Sequence, residues 1–299
     1  MQLRVGTRRS HLAKTQTHEV INQLRESHPQ LDIQVLVFSS IGDQTTGPLP
    51  STYPGLFTST LDRALINEQI DFVVHSLKDL PTQQAPELVI AATPKRHSAF
   101  DVLVTSDGTP LDQLPYESTI GTSSLRRTAQ LLSVRPDLKI ELLRGNVDTR
   151  VEKVLNQTLG AAVLAEAGLS RLNIDTKFLQ RIPMNIMLPA PGQGALAVEC
   201  RKNDLSTLRL LERINCPLTR ATTAAERTFL ASTGGGCSVP IAAYAEQHEN
   251  QIRLRGEIYS TDGCECIAVC DTASDPVTLG NQLAHKAIEM GAKKLLNRE

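Results

Sequence analysis

Short runs of aliphatic and β-branched residues alternate with helix-spaced apolar positions through the first two hundred residues of the chain. Leu3–Gly6 reads as a strand, His11–Glu26 as a helix that stops before Pro29, and Ile33–Phe38 as a second strand. Helical spacing returns over Leu56–Glu68, and Asp71–Val74 is again strand-like. The rhythm then restarts. Asp101–Thr105 and Thr119–Gly121 read as strands, Ser124–Val134 as a helix, Lys139–Leu143 as a strand, Val147–Gln157 as a helix and Ala161–Leu164 as a strand. Such alternation predicts parallel sheets with crossover helices. Two units of this kind in succession predict an α/β fold of two doubly wound lobes with a cleft between them, ligands lying at the carboxyl ends of the strands.

The last eighty residues have a different period. Val239–Ala245, Gln251–Ile258 and Glu265–Asp271 predict a three-stranded antiparallel meander, followed by a helix from about Pro276 to Leu296. This is a small α+β C-terminal domain. One segment resists any periodic reading: Gly42 to Gly55 holds three prolines and three glycines in fourteen residues. It is either a surface connection or a lid over the cleft.

Composition narrows the possibilities. The 299 residues suffice for two or three domains. A net charge of −1 gives no global attraction to nucleic acid or acidic membrane, so anion binding must come from local clusters of basic residues. Aromatic residues make up 3% and Trp is absent, which argues against stacking as the main mode of ligand capture. The N-terminus Met-Gln-Leu-Arg-Val-Gly-Thr-Arg-Arg-Ser lacks an apolar signal region, and no apolar run reaches bilayer length. A cytoplasmic chain with six thiols is therefore expected. Cys264-x-Cys266-x3-Cys270 has a metal-like look, but the strand pattern favours three small apolar residues on one face, and no metal site is expected.

The strongest chemical signal is arginine at strand ends. In Gly121-Thr-Ser-Ser-Leu-Arg-Arg127 a strand closes on Gly, hydroxyls stand at the helix N-cap, and Arg126 and Arg127 occupy the first turn. Cations there oppose the helix dipole, so they either serve a ligand carboxylate or phosphate or are solvated surface arginines. Arg144 and Arg150 flank a similar junction in Leu143-Arg-Gly-Asn-Val-Asp-Thr-Arg150, Arg8 lies in Thr7-Arg-Arg-Ser10, and Arg171 follows another strand. Guanidinium forks pair bidentately with carboxylates, so the ligand carries several acidic groups. In Phe72-Val-Val-His-Ser-Leu-Lys-Asp-Leu-Pro81, Lys78 and Asp79 fall at the cleft end of a strand. They form a surface ion pair, or Asp79 serves a developing cation or departing amine. His75 is structural or catalytic. Cys237 follows three glycines, in a tight turn or as a thiol presented for covalent chemistry.

Six motifs in order, T-R-R-S, V-H-S-L-K-D-L-P, G-T-S-S-L-R-R, L-R-G-N-V-D-T-R, L-P-A-P-G-Q-G-A and G-G-G-C-S-V-P, make the chain resemble the hydroxymethylbilane synthase (porphobilinogen deaminase) family nearly end to end. The resemblance implies two lobes like type II periplasmic binding proteins and a third, cofactor-holding domain. The boundaries it implies are 1–95 with 195–214, 99–190 and 217–299. It also implies a dipyrromethane cofactor joined by a thioether to Cys237, and condensation of four porphobilinogen molecules with loss of ammonia, then hydrolysis to hydroxymethylbilane. By motif position, Arg8, Arg126, Arg127, Arg144, Arg150 and Arg171 would hold acetate and propionate groups of the growing polypyrrole chain. Ser10 and Ser124 would supplement them, and Lys78 would pair with the cofactor. Asp79 would contact pyrrole nitrogens, favour ammonia loss and stabilise the cationic azafulvene.

The chain departs from the family in two places. The loop before Gly55-Leu-Phe57 lacks the family's lysines and is shorter, and the acidic E-D-P-R-D-A segment is here Arg96-His-Ser-Ala-Phe-Asp101. Two other readings share much of the pattern: a paralogue impaired by its altered lid, and a two-lobed small-anion binding protein. A monomer is expected, with no nucleic-acid or membrane partner and with uroporphyrinogen III synthase as a metabolic neighbour.

Overall fold

The computed structural model describes residues 2–39, 59–174, 177–235 and 239–296, so the loop at 42–55 and Cys237 lie outside the described residues. In chain order the elements begin β1 (Gln2–Arg8), α1 (His11–Ser27), β2 (Asp32–Phe38), α2 (Ser59–Ile66), β3 (Phe72–Ser76), a 3-10 turn (Leu77–Asp79) and β4 (Leu88–Ala92). They continue with β5 (Asp101–Thr105), β6 (Thr119–Gly121), α3 (Leu125–Val134), β7 (Lys139–Glu141), α4 (Val147–Leu155), β8 (Ala161–Ala165), α5 (Glu166–Arg171) and β9 (Leu179–Arg181). The remainder is β10 (Leu196–Arg201), α6 (Leu205–Glu212), α7 (Pro217–Ser232), β11 (Ile241–His248), β12 (Gln251–Tyr259), β13 (Cys266–Ala273), α8 (Pro276–Glu289) and α9 (Ala292–Leu296). The chain divides into two compact units, Met1–His97 with Ala195–Arg220, and Ser98–Gly194 with Ala221–Glu299.

The first unit holds a five-stranded sheet in the order β2-β1-β3-β10-β4. β1 runs parallel to β2 and β3, whereas β10 is antiparallel to β3 and β4. The sheet is mixed rather than parallel because the chain re-enters it beside the carboxyl end of β3. There the Leu77 N–H donates to Ala195 O at 3.0 Å, and β10 runs back from that point. Leu3, Val5, Phe72 and Val74 pack on Val20, Ile21 and Leu24 of α1, while Leu61, Leu65, Val73 and Leu88 form a second cluster. Burial of both Val73 and Val74 explains why the run over β3 is continuously apolar instead of alternating.

The second unit repeats the scheme and adds a third sheet. Its five-stranded sheet has the order β7-β6-β8-β5-β9, with β6 parallel to its neighbours and β5 antiparallel to β8 and β9. Alternate residues of β5 enter two separate clusters, Val102 and Val104 in one, Leu103 in the other. Strands β11-β12-β13 form the predicted antiparallel meander. Its inner face packs Leu254, Ile258 and Val269 against Phe229 of α7 and Leu279 and Leu283 of α8. The single C-terminal helix expected from periodicity is broken at Gly291, whose φ of 104° an α-helix cannot accommodate.

The cysteines of the third sheet depart from expectation. Cys264, Cys266 and Cys270 are exposed, because Ile267 and Val269 take the core-facing positions of β13. No helix among the described residues is long and apolar enough to cross a membrane.

Gly256, in the middle of β12, is required by packing. A Cβ there would lie 2.4 Å from the Phe229 ring, which is itself wholly buried. Gly256→Ala is expected to cost about 1–3 kcal/mol through overpacking. A lowered thermal midpoint checks this, and an unchanged one would show that the ring yields freely.

Candidate functional site

In the first unit, the carboxyl ends of β1 and β3 frame a small cavity. Arg8, Ser10, Gln16, His75, Ser76 and Asp79 contribute to its wall. Ser10 caps α1 by accepting the Ala13 N–H at 3.3 Å, which fixes the junction that carries Arg8. The Gln16 side chain donates to Ser76 Oγ at 2.8 Å, tying α1 to the end of β3. The 3-10 turn then lifts Lys78 and Asp79 out of the sheet. Leu77 is buried, Lys78 half-buried and Asp79 exposed. Asp79 is thus set on a short turn anchored to two strands, with a cationic arginine on the same cavity wall. His75 faces inward, and burial, then the Arg8 charge, depress its pKa to about 4. It stands as a neutral imidazole at neutral pH.

In the second unit, Ser124 caps α3 as the motif predicts, accepting the Arg127 N–H at 3.5 Å. Arg126 and Arg127 do not point into solvent from that turn. Both are buried and converge on Asp101 at the start of β5, itself fully buried. Arg127 Nε and Nη2 donate to Asp101 Oδ1 at 3.0 and 2.7 Å, and its Nη1 donates to Val163 O at 2.8 Å. Arg126 Nη1 lies 2.8 Å from Asp101 Oδ2 and donates to Leu188 O at 2.7 Å. Two guanidiniums against one carboxylate leave a buried charge of +1. Burial, and then repulsion from Arg127, lower the Arg126 pKa against the pull of Asp101.

The loop between β9 and β10 completes this arrangement. Gln193 is buried and its Nε2 donates to Ala99 O at 2.8 Å and to Asp101 Oδ1 at 3.1 Å. Gln130 of α3 brackets Leu188, accepting its N–H at 2.7 Å and donating to its carbonyl at 3.1 Å. Glu226 of α7 accepts Gly192 N–H at 2.7 Å and Ala245 N–H at 2.8 Å, so one buried carboxylate joins the loop to the third sheet. Arg171 Nη2 donates to Gly194 O at 3.3 Å. Arg150 Nε donates to Gly145 O at 2.8 Å across the turn that carries Arg144.

Two arginine donors of the strand-end motifs have nothing to donate to among the described residues. Arg126 Nε and Arg144 Nε are buried and lack a hydrogen-bond partner among the described residues. A buried unpaired N–H on a charged group costs on the order of 1–3 kcal/mol, so each marks a place where a ligand oxygen would be welcome. The described residues therefore fit a polycarboxylate on charge and on donor count.

Asp101, Gln130, Gln193 and Glu226 went unnoticed as site residues in the sequence. Gln193 lies inside the motif Leu188-Pro-Ala-Pro-Gly-Gln-Gly194, and Asp101 closes the segment that departs from the family pattern. The available signal was an acidic residue opening an apolar strand, where a buried charge demands partners.

Comparison with known proteins follows the same lines. Residues 3–209 match the family model described as porphobilinogen deaminase, dipyromethane cofactor binding domain, and residues 221–289 match the porphobilinogen deaminase C-terminal domain. A porphobilinogen deaminase of Brevibacillus brevis is 44% identical over 296 residues, covering 98% of this chain and 96% of that protein. One from Desulforamulus reducens is 40% identical over 299 residues, covering 99% and 97%. Among solved structures, the effector-binding domain of BenM with its effector benzoate has a TM-score of 0.44 at 17% identity, covering 71% of this chain and 90% of that one. That likeness is too distant to add to the assignment.

Asp101→Asn tests the buried triad. It removes the only carboxylate shown against both guanidiniums, and a loss of about 3–5 kcal/mol of stability is expected. Urea unfolding measures it; a variant as stable as the parent would mean the arginines find other partners.

Proposed function

The chain belongs to the porphobilinogen deaminase family, and on that premise we propose that it is a hydroxymethylbilane synthase acting on porphobilinogen through a dipyrromethane cofactor. Four porphobilinogen molecules are joined head to tail on this primer. Each addition breaks the aminomethyl C–N bond, forms a C–C bond to a pyrrole α-carbon, and releases ammonia and the displaced proton. Hydrolysis then frees hydroxymethylbilane. When bound, the cofactor supplies a nucleophilic terminal pyrrole. The observation that carries this reading is the buried +1 triad of Asp101, Arg126 and Arg127 with the partnerless Nε atoms of Arg126 and Arg144.

Each remaining role follows from chemistry at a named atom. Arg126 and Arg144 bind acetate or propionate through the open Nε donors, while Asp101 and Gln193 hold the Arg126–Arg127 pair in place. Arg8, Arg150 and Arg171 extend the cation supply, with Ser10 and Ser124 as additional donors, and Lys78 serves the cofactor carboxylates. Asp79 presents a carboxylate to pyrrole N–H groups. A fixed negative charge there favours departure of the amine and offsets the positive charge left on the ring. Cys237, outside the described residues, is the proposed thioether position, supported by its place in the Gly-Gly-Gly-Cys motif of the C-terminal segment. The protein works as a cytoplasmic monomer of three domains, 1–95 with 195–214, 99–190 and 217–299. Its product passes to a cyclising enzyme, uroporphyrinogen III synthase, with no nucleic-acid or membrane partner.

Intact mass spectrometry tests the cofactor assignment. The purified protein is expected to exceed its polypeptide mass by two linked pyrrole units, and Cys237→Ser to abolish the excess. A bare mass that persists after incubation with porphobilinogen would overturn the attachment.

Asp79→Ala tests the carboxylate. Turnover is expected to fall by about 100-fold or more while the pyrrole mass excess remains. Near-normal kcat would remove Asp79 from the reaction.

A further inference from the structure

Behind the cavity wall of the first unit, three side chains meet that the proposed reaction does not use. Asp62 of α2, His75 of β3 and Glu199 of β10 each offer one ligand atom, and these atoms lie within 4.8 Å of one another. His75 Nε2 is 3.7 Å from Glu199 Oε2, and the two side chains are 5% and 2% exposed. His75 Nε2 has no hydrogen-bond partner among the described residues, although it is buried and directed at a carboxylate. The Gln84 side chain donates to Glu199 Oε1 at 2.7 Å and orients this carboxylate from outside. A supporting amide behind a carboxylate and an open imidazole nitrogen in front of it form a metal-ligand arrangement.

We propose that Asp62, His75 and Glu199 bind one divalent first-row transition-metal ion of the zinc class. The donor set is one imidazole and two carboxylates, on three elements fixed by one sheet. Bonds of about 2.0–2.2 Å require ligand atoms about 3.5 Å apart. The His75–Glu199 pair is already near that spacing, and the widest pair needs to close by about 1 Å. A bound dication would rigidify the end of β3 and add positive charge beneath the cavity that holds Asp79. No spacing in the sequence marks this site, since its ligands lie at positions 62, 75 and 199.

The test uses the full chain in a Cys264→Ser/Cys266→Ser/Cys270→Ser background, so that exposed thiols do not compete for the probe. After chelation and dialysis, the protein is titrated with Zn2+ by calorimetry, and its thermal midpoint is read with and without the metal. About one equivalent is expected to bind and to raise the midpoint by several degrees. Glu199→Gln and Asp62→Asn are each expected to weaken binding at least tenfold and to lose the thermal shift. Asp62, at the partly exposed edge, carries the comparison if the Glu199 variant does not fold. Absence of saturable uptake in the serine background, or undiminished uptake in both carboxylate variants, overturns the site. Neither reading depends on turnover or on the pyrrole mass, so failure here leaves the proposed reaction standing.

Discussion

The second unit is organised around one buried carboxylate. Asp101 has no solvent exposure and meets Arg126, Arg127 and Gln193 at 2.7–3.1 Å. Desolvating a carboxylate costs several kcal/mol, and only charged or amide partners on every side repay that. The partners come from the start of α3 and the loop before β10, so the carboxylate fixes the relative placement of segments nearly a hundred residues apart. The same loop is then held by Gln130 at Leu188 and by Glu226 at Gly192. A network of this kind behaves as a unit, because removing one member strands the others in a medium that cannot hydrate them.

The first unit places its chemistry differently. Asp79 is exposed and sits on a 3-10 turn positioned by backbone, through the Leu77 N–H to Ala195 O bond and the pairing of β10 with β3. The division suits the roles proposed for the two sites. Binding several carboxylates calls for preorganised, desolvated cations, whereas a carboxylate offered to pyrrole N–H groups must remain accessible.

Much of this could be read from the residues. The two α/β rhythms, the meander and the strand-end position of Lys78 and Asp79 all follow from local periodicity, which short-range backbone preferences determine. The strand order did not, because β10 inserts between β3 and β4 after a hundred intervening residues, and the sheets are mixed as a result. Arg126 and Arg127 were visible as cations in an unfavourable place. Their burial was not, since it depends on Asp101 at 101 and Leu188 at 188, contacts with no sequence period. The exposed cysteines of β13 show the opposite failure: alternation identified the shared face but not which face turns to the core.

The arginine pair also resolves an apparent conflict in α3. Cations in a first helical turn oppose the dipole by about 0.3–1 kcal/mol each, and Ser124 contributes only one cap. Asp101 supplies the missing negative charge from outside the helix, so the turn forms with its arginines directed inward. The compensation is incomplete, leaving one net positive charge. A pyrrole with acetate and propionate side chains brings two negative charges, more than this triad can match alone. A ligand with several carboxylates would need further cations, and the roles proposed for Arg8, Arg144, Arg150 and Arg171 rest on that need. Asp101 sets how much positive charge the α3 turn can bear.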